Sequence, residues 1–216
     1  YRQEMEESLG VNSSWYRHSL MGMASYNFRN KYMVDVVANR YGTSVLLKGD
    51  KFRFYPAVSA AWVLSNEDFL KDWSFVDLLK LRLSYGRSAV DNLAYGLGKH
   101  YWSSLREYYF GDSNTEVSGY LERKIPMRSL ELETADKYNI GLDVQLFKKL
   151  SFTADMYYDK RSNILVSNNK VSGMIGIDVP QQNVGKVESK GLELSLGWND
   201  KIRDFRYYIN GNVSFM

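Results

Sequence analysis

The residues with which this sequence could do chemistry are few and scattered. It has two histidines, His18 and His100, and no cysteine. A thiolate metal site and a disulfide scaffold are therefore excluded. His18 falls near the start of a strand pattern with no partner histidine in sequence, which reads as a structural or interface histidine. Asp155, Asp159, Glu131 and Glu133 are types that could pair as acid and base, but no local spacing brings any pair together. "YGLGK" at 95–99 lacks the glycine-to-lysine spacing of a phosphate loop. "DSNTE" at 112–116 alternates oxygen ligands as calcium loops do, without their glycine or distal glutamate. No catalytic residue, metal ligand or cofactor site emerges. Such a chain is expected to work through shape and lining, not as an enzyme.

The one chemically pointed segment is "HYWSSLREYYFG" at 100–111. Tyr101, Trp102, Tyr108, Tyr109 and Phe110 form a candidate substrate- or partner-contacting loop. Aromatic faces stack on sugar rings and anchor protein interfaces. The plainer alternative is that these rings pack on one another and order a long loop.

The elements that must position such residues are strands. Period-two alternation recurs about eight times along the chain. "LLKLRLSYG" sets Leu79, Leu81, Leu83 and Tyr85 against Lys80, Arg82 and Ser84. "YNIGLDVQL" sets Ile140, Leu142 and Val144 against Asn139, Gly141 and Asp143. Asp155 falls on the polar side of the next run. In "NVGKVESKGLELSL", Leu192, Leu194 and Leu196 oppose Glu193 and Ser195, and Gly185 and Gly191 read as hinges in a polar loop. One short helix is expected near 65–73, with Ser65 as its cap and Glu67 and Asp68 in its first turn. Short connections ("RNK", "KK", "NDKIRD") mostly alternate with long polar ones at 87–134 and 166–184.

Two solvents could explain the alternation. A soluble β-sandwich, for instance a sugar-binding module, alternates on its inner faces. A transmembrane barrel alternates between lipid and lumen, and keeps mean hydropathy low; here it is −0.40. Three features favour the barrel. The runs often reach about ten residues, suited to a bilayer-crossing strand of roughly 9–11. Aromatics gather at strand ends: Tyr26, Phe28 and Tyr32 at one turn, Trp198, Phe205 and Tyr207 at another. The second face is polar. On this reading Lys80, Arg82, Asn139, Asp143, Asp155 and Glu193 are lumen-facing, and Leu81, Leu83, Leu142, Val144, Leu192, Leu194 and Leu196 are lipid-facing. An autonomous small outer-membrane barrel of about eight strands, structural or adhesive, remains an alternative. The net charge of +3, from 28 basic and 25 acidic residues, gives no support to nucleic-acid binding.

Several stretches in series resemble the SusC/RagA family of TonB-dependent outer-membrane transporters of Bacteroidetes. "YPAVSAAW" is similar to a Pro-Ser-x-Ser-x-Gly-Trp element: Pro56, Ser59 and Trp62 match, and Ala57 and Ala61 replace Ser and Gly. "LELETADKYNIGLD" resembles a Leu-x-Trp-Glu…Asn-x-Gly-Leu-Asp signature through Leu130, Glu133, Asn139, Gly141, Leu142 and Asp143, with Leu132 where Trp is usual. "DMYYDKRSNILV" and "NVGKVESKGLELSL" complete the series, the last with Ser189 in place of Asn. The resemblance implies an all-β, antiparallel transmembrane barrel of about 22 strands around a plug. Residues 1–216 would hold about eight consecutive strands of it, an internal piece without plug or C-terminal strands. It further implies import of oligosaccharides or peptides in the outer membrane, a SusD-like lipoprotein partner, and coupling to the TonB complex through the plug.

Overall fold

The structure is a computed structural model that describes residues 16–46, 51–91, 93, 97, 101–110, 115–127, 129–167, 174, 176–177 and 179–216. For 101, 105–108, 110, 115, 116, 118 and 123 it describes the backbone alone. Among the described residues ten strands follow in order: β1 Arg17–Phe28, β2 Tyr32–Thr43, β3 Phe52–Val63, β4 Val76–Val90, β5 Tyr101–Phe110, β6 Thr115–Lys124, β7 Glu133–Leu146, β8 Leu150–Val166, β9 Gln182–Ile202 and β10 Phe205–Phe215. Eight of them make one antiparallel sheet in the order β1-β2-β3-β4-β7-β8-β9-β10. These are the eight alternating runs. β5 and β6 form a separate hairpin inside the long 87–134 connection.

Strands of the large sheet run from 11 residues in β10 to 21 in β9, well beyond the five or six typical of globular strands. Its order is linear, and β1 and β10 stand at opposite edges. An eight-stranded closed barrel is therefore not what these strands form. Nor does a second layer make a sandwich: the other sheet among the described residues is the two-stranded hairpin.

One end of the sheet carries tight turns. At Phe28–Lys31 the two central residues, Arg29 and Asn30, have φ of 53° and 54°, and the Lys31 N–H donates to the Phe28 carbonyl at 2.9 Å. That is the twist-matched type I′ hairpin turn. Leu146–Lys149 repeats it with Phe147 and Lys148 at 56° and 55°. A ring residue seldom adopts this left-handed backbone. Here the Phe147 ring stacks 6.0 Å from Phe75, which stacks 5.6 Å from Trp73.

The helix expected near 65–73 does not form. A 3-10 turn at Leu64–Asn66 is followed by further turns, and among the described residues no side chain caps it. Glu67, expected to sit on a helix dipole, instead faces back to the strands. So short a segment nucleates a helix poorly on its own. The expected hinges also differ: Gly185 and Gly191 lie within β9, whose pairing with β8 extends up to Gln182.

The buried core is small and lies at the long-loop end. Leu46, Tyr55, Leu97, Met127, Leu130 and Leu132 form it, with Tyr41, Val45, Ala89, Leu93 and Leu165 against it. Leu132, at the position where the resembled signature has Trp, is 2 % exposed. It fills this core.

Candidate functional site

Residues paired across an antiparallel ladder point to the same face, so register sorts the side chains. Leu194 faces Val213 on one side and Ala154 on the other; Ala154 faces Leu142, Leu142 faces Leu81, Leu81 faces Trp62, and Trp62 faces Tyr32. That row belongs to one continuous apolar face, which also carries Leu83, Val144, Leu192 and Leu196. Arg82, Gly141, Asp155 and Glu193 form a parallel row on the opposite face. Lys80, Asn139 and Asp143 share that polar face. The two sets of candidate residues are thus separated by the sheet itself.

Exposure runs opposite to that of a soluble sheet. On β2 and β3 the apolar side is the open one: Val36 is 46 % exposed, Phe54 57 % and Val58 43 %. The polar positions between them, such as Asp35 and Ser59, are half-buried.

The polar face is held by ion pairs spanning several strands. The Arg82 guanidinium donates to both oxygens of Asp143, Nε to Oδ2 at 2.8 Å and Nη2 to Oδ1 at 3.0 Å, and Nη2 also reaches Asp155 Oδ2 at 3.1 Å. Glu193 stands directly opposite Asp155 in register, a like-charge placement that costs stability unless offset; the Arg82 cation lies beside it. Towards the long loops, Asp35, Ser59, Ser84, Gly86, Asn139 and Tyr157 line a groove of about 380 Å³.

The apolar face is edged by rings. At the long-loop side Tyr85, Tyr138 and Tyr158 are in register, with centroids 5.0 Å and 6.1 Å apart. At the turn side Tyr32 stacks on Trp62 at 6.2 Å and Phe205 on Tyr207 at 6.2 Å. Glu67 closes this turn end. It accepts from Lys31 Nζ at 2.9 Å, the Tyr32 hydroxyl at 2.7 Å and the Trp62 indole N–H at 3.1 Å. These donors, Lys31 foremost, hold its carboxyl down to about 2.

The aromatic segment, expected to be a loop, is strand β5 over Tyr101–Phe110. Trp102 is 57 % and Tyr109 63 % exposed, and Tyr120 on β6 joins them at 79 %. Trp102 pairs with Glu122 and Ser104 with Tyr120, so Trp102 and Tyr120 are diagonal neighbours on one face of the hairpin. The side chains of Tyr101, Tyr108 and Phe110 lie outside the described residues, as do His100, most of 95–99, and 112–114. His18 lies on β1 with its ring 5.2 Å from Tyr16. Asp159 borders the groove, and Glu133 lies 3.9 Å from Arg161. Among the described residues no group of His, Asp or Glu is placed to hold a metal ion.

Asn183 is a residue that alternation did not single out. Its side chain bonds both backbone groups of Glu131: Oδ1 accepts from the N–H at 3.1 Å, and Nδ2 donates to the carbonyl at 3.0 Å. Nδ2 also reaches the Asn163 carbonyl at 2.7 Å. The amide acts as a short piece of strand, tying the segment before β7 to β8 and β9. Asparagine's equal provision of donor and acceptor is the signal that could have marked it.

Comparison with known proteins places these features in context. Residues 8–216 match the family model described as TonB dependent receptor-like, beta-barrel. The chain is 31 % identical over 183 residues to TonB-dependent receptor P26 of Formosa agariphila, covering 82 % of this chain and 18 % of that protein. It is 25 % identical over 210 residues to TonB-dependent receptor SusC of Bacteroides thetaiotaomicron, covering 91 % and 20 %. Among solved structures, the RagAB peptide importer in its open-open state superposes with a TM-score of 0.80 at 19 % identity, over 93 % of this chain and 21 % of that one. The siderophore receptor PirA of Pseudomonas aeruginosa superposes at 0.59 with 14 % identity, over 93 % and 34 %. The chain spans about a fifth of the length of these curated relatives.

Proposed function

The chain belongs to the TonB-dependent receptor β-barrel family, and we propose that it forms eight consecutive wall strands of an outer-membrane importer for oligosaccharides or peptides. The observation that carries this reading is the uncovered apolar face. It runs unbroken over eight strands, is edged by aromatic rings at both ends, and is backed by ion-paired carboxylates. Water would be a poor solvent for such a face; lipid suits it. On β7 the stretch from Tyr138 to Leu146 is about 27 Å along the strand, or roughly 20 Å across a bilayer at a tilt of ~40°.

In this reading Leu81, Leu83, Leu142, Val144, Leu192, Leu194 and Leu196 meet lipid. Lys80, Arg82, Asn139, Asp143, Asp155 and Glu193 line the lumen. The tight turns face the periplasm, and the β5–β6 hairpin rises on the outer side. A SusD-like lipoprotein and the substrate are its partners there, with Trp102 and Tyr109 among the contacting rings. Strands beyond these eight close the barrel, and a plug inside it couples to the TonB complex. Relatives support the frame: RagAB is described as a peptide importer, and SusC as a TonB-dependent receptor. The test is deletion of the gene for the full-length protein, followed by uptake assays with panels of oligosaccharides and peptides. Loss of uptake of one class is expected; unchanged uptake of every member of both panels defeats the reading.

A further inference from the structure

Three lysines stand uncommitted at the long-loop margin of the apolar face. The last wholly apolar row there is Leu83, Ile140, Met156 and Leu192, paired strand to strand across β4, β7, β8 and β9. All four are exposed. Two residues further out, about 7 Å along the strands, the row is Tyr85, Tyr138, Tyr158 and Lys190. The next row is Arg87, Asp136, Lys160 and Glu188. Lys186 follows on the same side of β9, two residues beyond Glu188.

These charges are not equally free. Asp136 accepts from Arg87 Nε at 2.7 Å and Nη2 at 3.0 Å, and from the Tyr85 hydroxyl at 2.9 Å. Lys160, Lys186 and Lys190 are exposed, and among the described residues none of them makes an ion pair or a hydrogen bond. The margin thus holds four cations against two carboxylates, Asp136 and Glu188, and Arg87 already occupies the first. Lys160 stands opposite Glu188 and Lys190 opposite Tyr158. The two lysines are therefore diagonal neighbours, their Cβ atoms about 7 Å apart. Their flexible four-carbon stems let both ammonium groups close on one anion. Lys186 lies four residues from Lys190, about 13 Å along β9.

The place selects the anion. These lysines rim a face that we read as meeting lipid. There a lysine stem lies along apolar surface while its ammonium group rises to headgroup level, and basic side chains attract anionic headgroups. The Tyr138 and Tyr158 rings stand at the same level, as interfacial rings do. A lipid docked here places acyl chain on Ile140, Met156 and Leu192 and phosphate among the lysines. The spread from the Lys160–Lys190 pair to Lys186 suits a disaccharide headgroup with a phosphate at each end better than a single phosphodiester.

We propose that this margin of β8 and β9 docks a phosphorylated glycolipid of the lipid A type, with Lys160 and Lys190 on one phosphate and Lys186 on the other. The proposal rests on the importer reading, which puts this face against lipid and the long loops outside. The full-length protein in a neutral detergent is compared with its K160Q/K186Q/K190Q and K160R/K186R/K190R variants. Native mass spectrometry follows binding of diphosphorylated lipid A, phosphate-free lipid A and phosphatidylglycerol, with inorganic phosphate as competitor. The expected result is diphosphorylated lipid A bound at least about tenfold more weakly by the glutamine variant, with binding kept by the arginine variant and heat modifiability kept by both. Equal affinity of the unaltered protein and the glutamine variant overturns the site. So does loss of binding in the arginine variant, which would tie the effect to shape and not to charge. Equally tight binding of phosphate-free lipid A overturns the phosphate contacts. Equally tight binding of phosphatidylglycerol, or displacement by millimolar inorganic phosphate, overturns the glycolipid assignment. None of these outcomes touches the importer reading, which fails separately if uptake is unchanged on deletion of the gene.

Discussion

Arg82 on β4 reaches Asp155 on β8 across a strand that presents no side chain at the crossing point. The intervening residue is Gly141, in register with both. A Cβ built there would lie 2.6 Å from Asp155 Oδ1 and 2.7 Å from Arg82 Cζ. The glycine is therefore what lets one guanidinium serve Asp143 and Asp155 together. Gly141→Ala should force the Arg82 side chain off Asp155 and leave Asp155 facing Glu193 without its cation. The expected cost is about 1–3 kcal/mol, read as a lowered urea midpoint of the full-length protein in detergent. Gly22→Ala is the control. Among the described residues nothing lies within 4 Å of a Cβ at that position, so this change should be neutral or stabilising by up to ~1 kcal/mol.

Leu194 lies midway along the apolar run of β9 between Lys190 and Trp198, with Ala154 and Val213 beside it. Leu194→Arg should impair membrane assembly by about 2–4 kcal/mol if that run crosses the bilayer. Glu193→Gln, one residue away on the other face, should be tolerated, since it removes a charge facing Asp155. The heat-modifiable fraction on SDS gels measures both. Equal tolerance of the two changes would put the wrong face against lipid.

Most of the large sheet was legible because period-two patterning reports one thing well: which residues share a face. All eight runs became strands, and the pairing kept Leu81, Leu142 and Leu194 in one row. What stayed hidden depended on pairing and contacts that no regular local pattern reports. The β5–β6 hairpin has register shifts at Tyr101/Trp102 and Leu105/Tyr108, and each shift breaks the alternation that would have announced it. Ser65 and Glu67 have the local chemistry of a helix start, yet Lys31, Tyr32 and Trp62 claim the Glu67 carboxylate. Gly191 reads as a hinge from its neighbours, but the Tyr157 ring lies across it, within 2.6 Å of where a Cβ would be.

Asn183 should govern how firmly the outer segment before β7 is held. Asn183→Ala leaves the Glu131 N–H and carbonyl and the Asn163 carbonyl without this partner. Glu131 is exposed, so water recovers part of the loss, and the expected cost is about 1–2 kcal/mol. Local opening should respond more than global stability. Limited proteolysis of the full-length protein should cut faster between Ile125 and Leu132 in the variant, with the barrel's heat modifiability unchanged. An identical cleavage rate would show that Leu130 and Leu132, buried in the loop core, hold the segment unaided.

Glu67 gives the turn end a defined pH response. Its carboxyl is held near 2 by Lys31, Tyr32 and Trp62, against an ordinary 4.5. A depressed carboxyl pKa contributes stability that is fully present above the unfolded value and is lost as pH falls through the folded one. The window is therefore about pH 5 down to about pH 2. Glu67→Gln keeps the shape and one acceptor but removes the charge that Lys31 faces. The full-length protein should melt above the variant at neutral pH, and the gap in Tm should narrow from about pH 5 and close near pH 2. Carboxylates common to both proteins cancel in that difference. A gap that stayed constant across the window would mean that Glu67 acts through its shape alone. A gap that widened on acidification would reverse the sign and rule out the Lys31 pairing as its source.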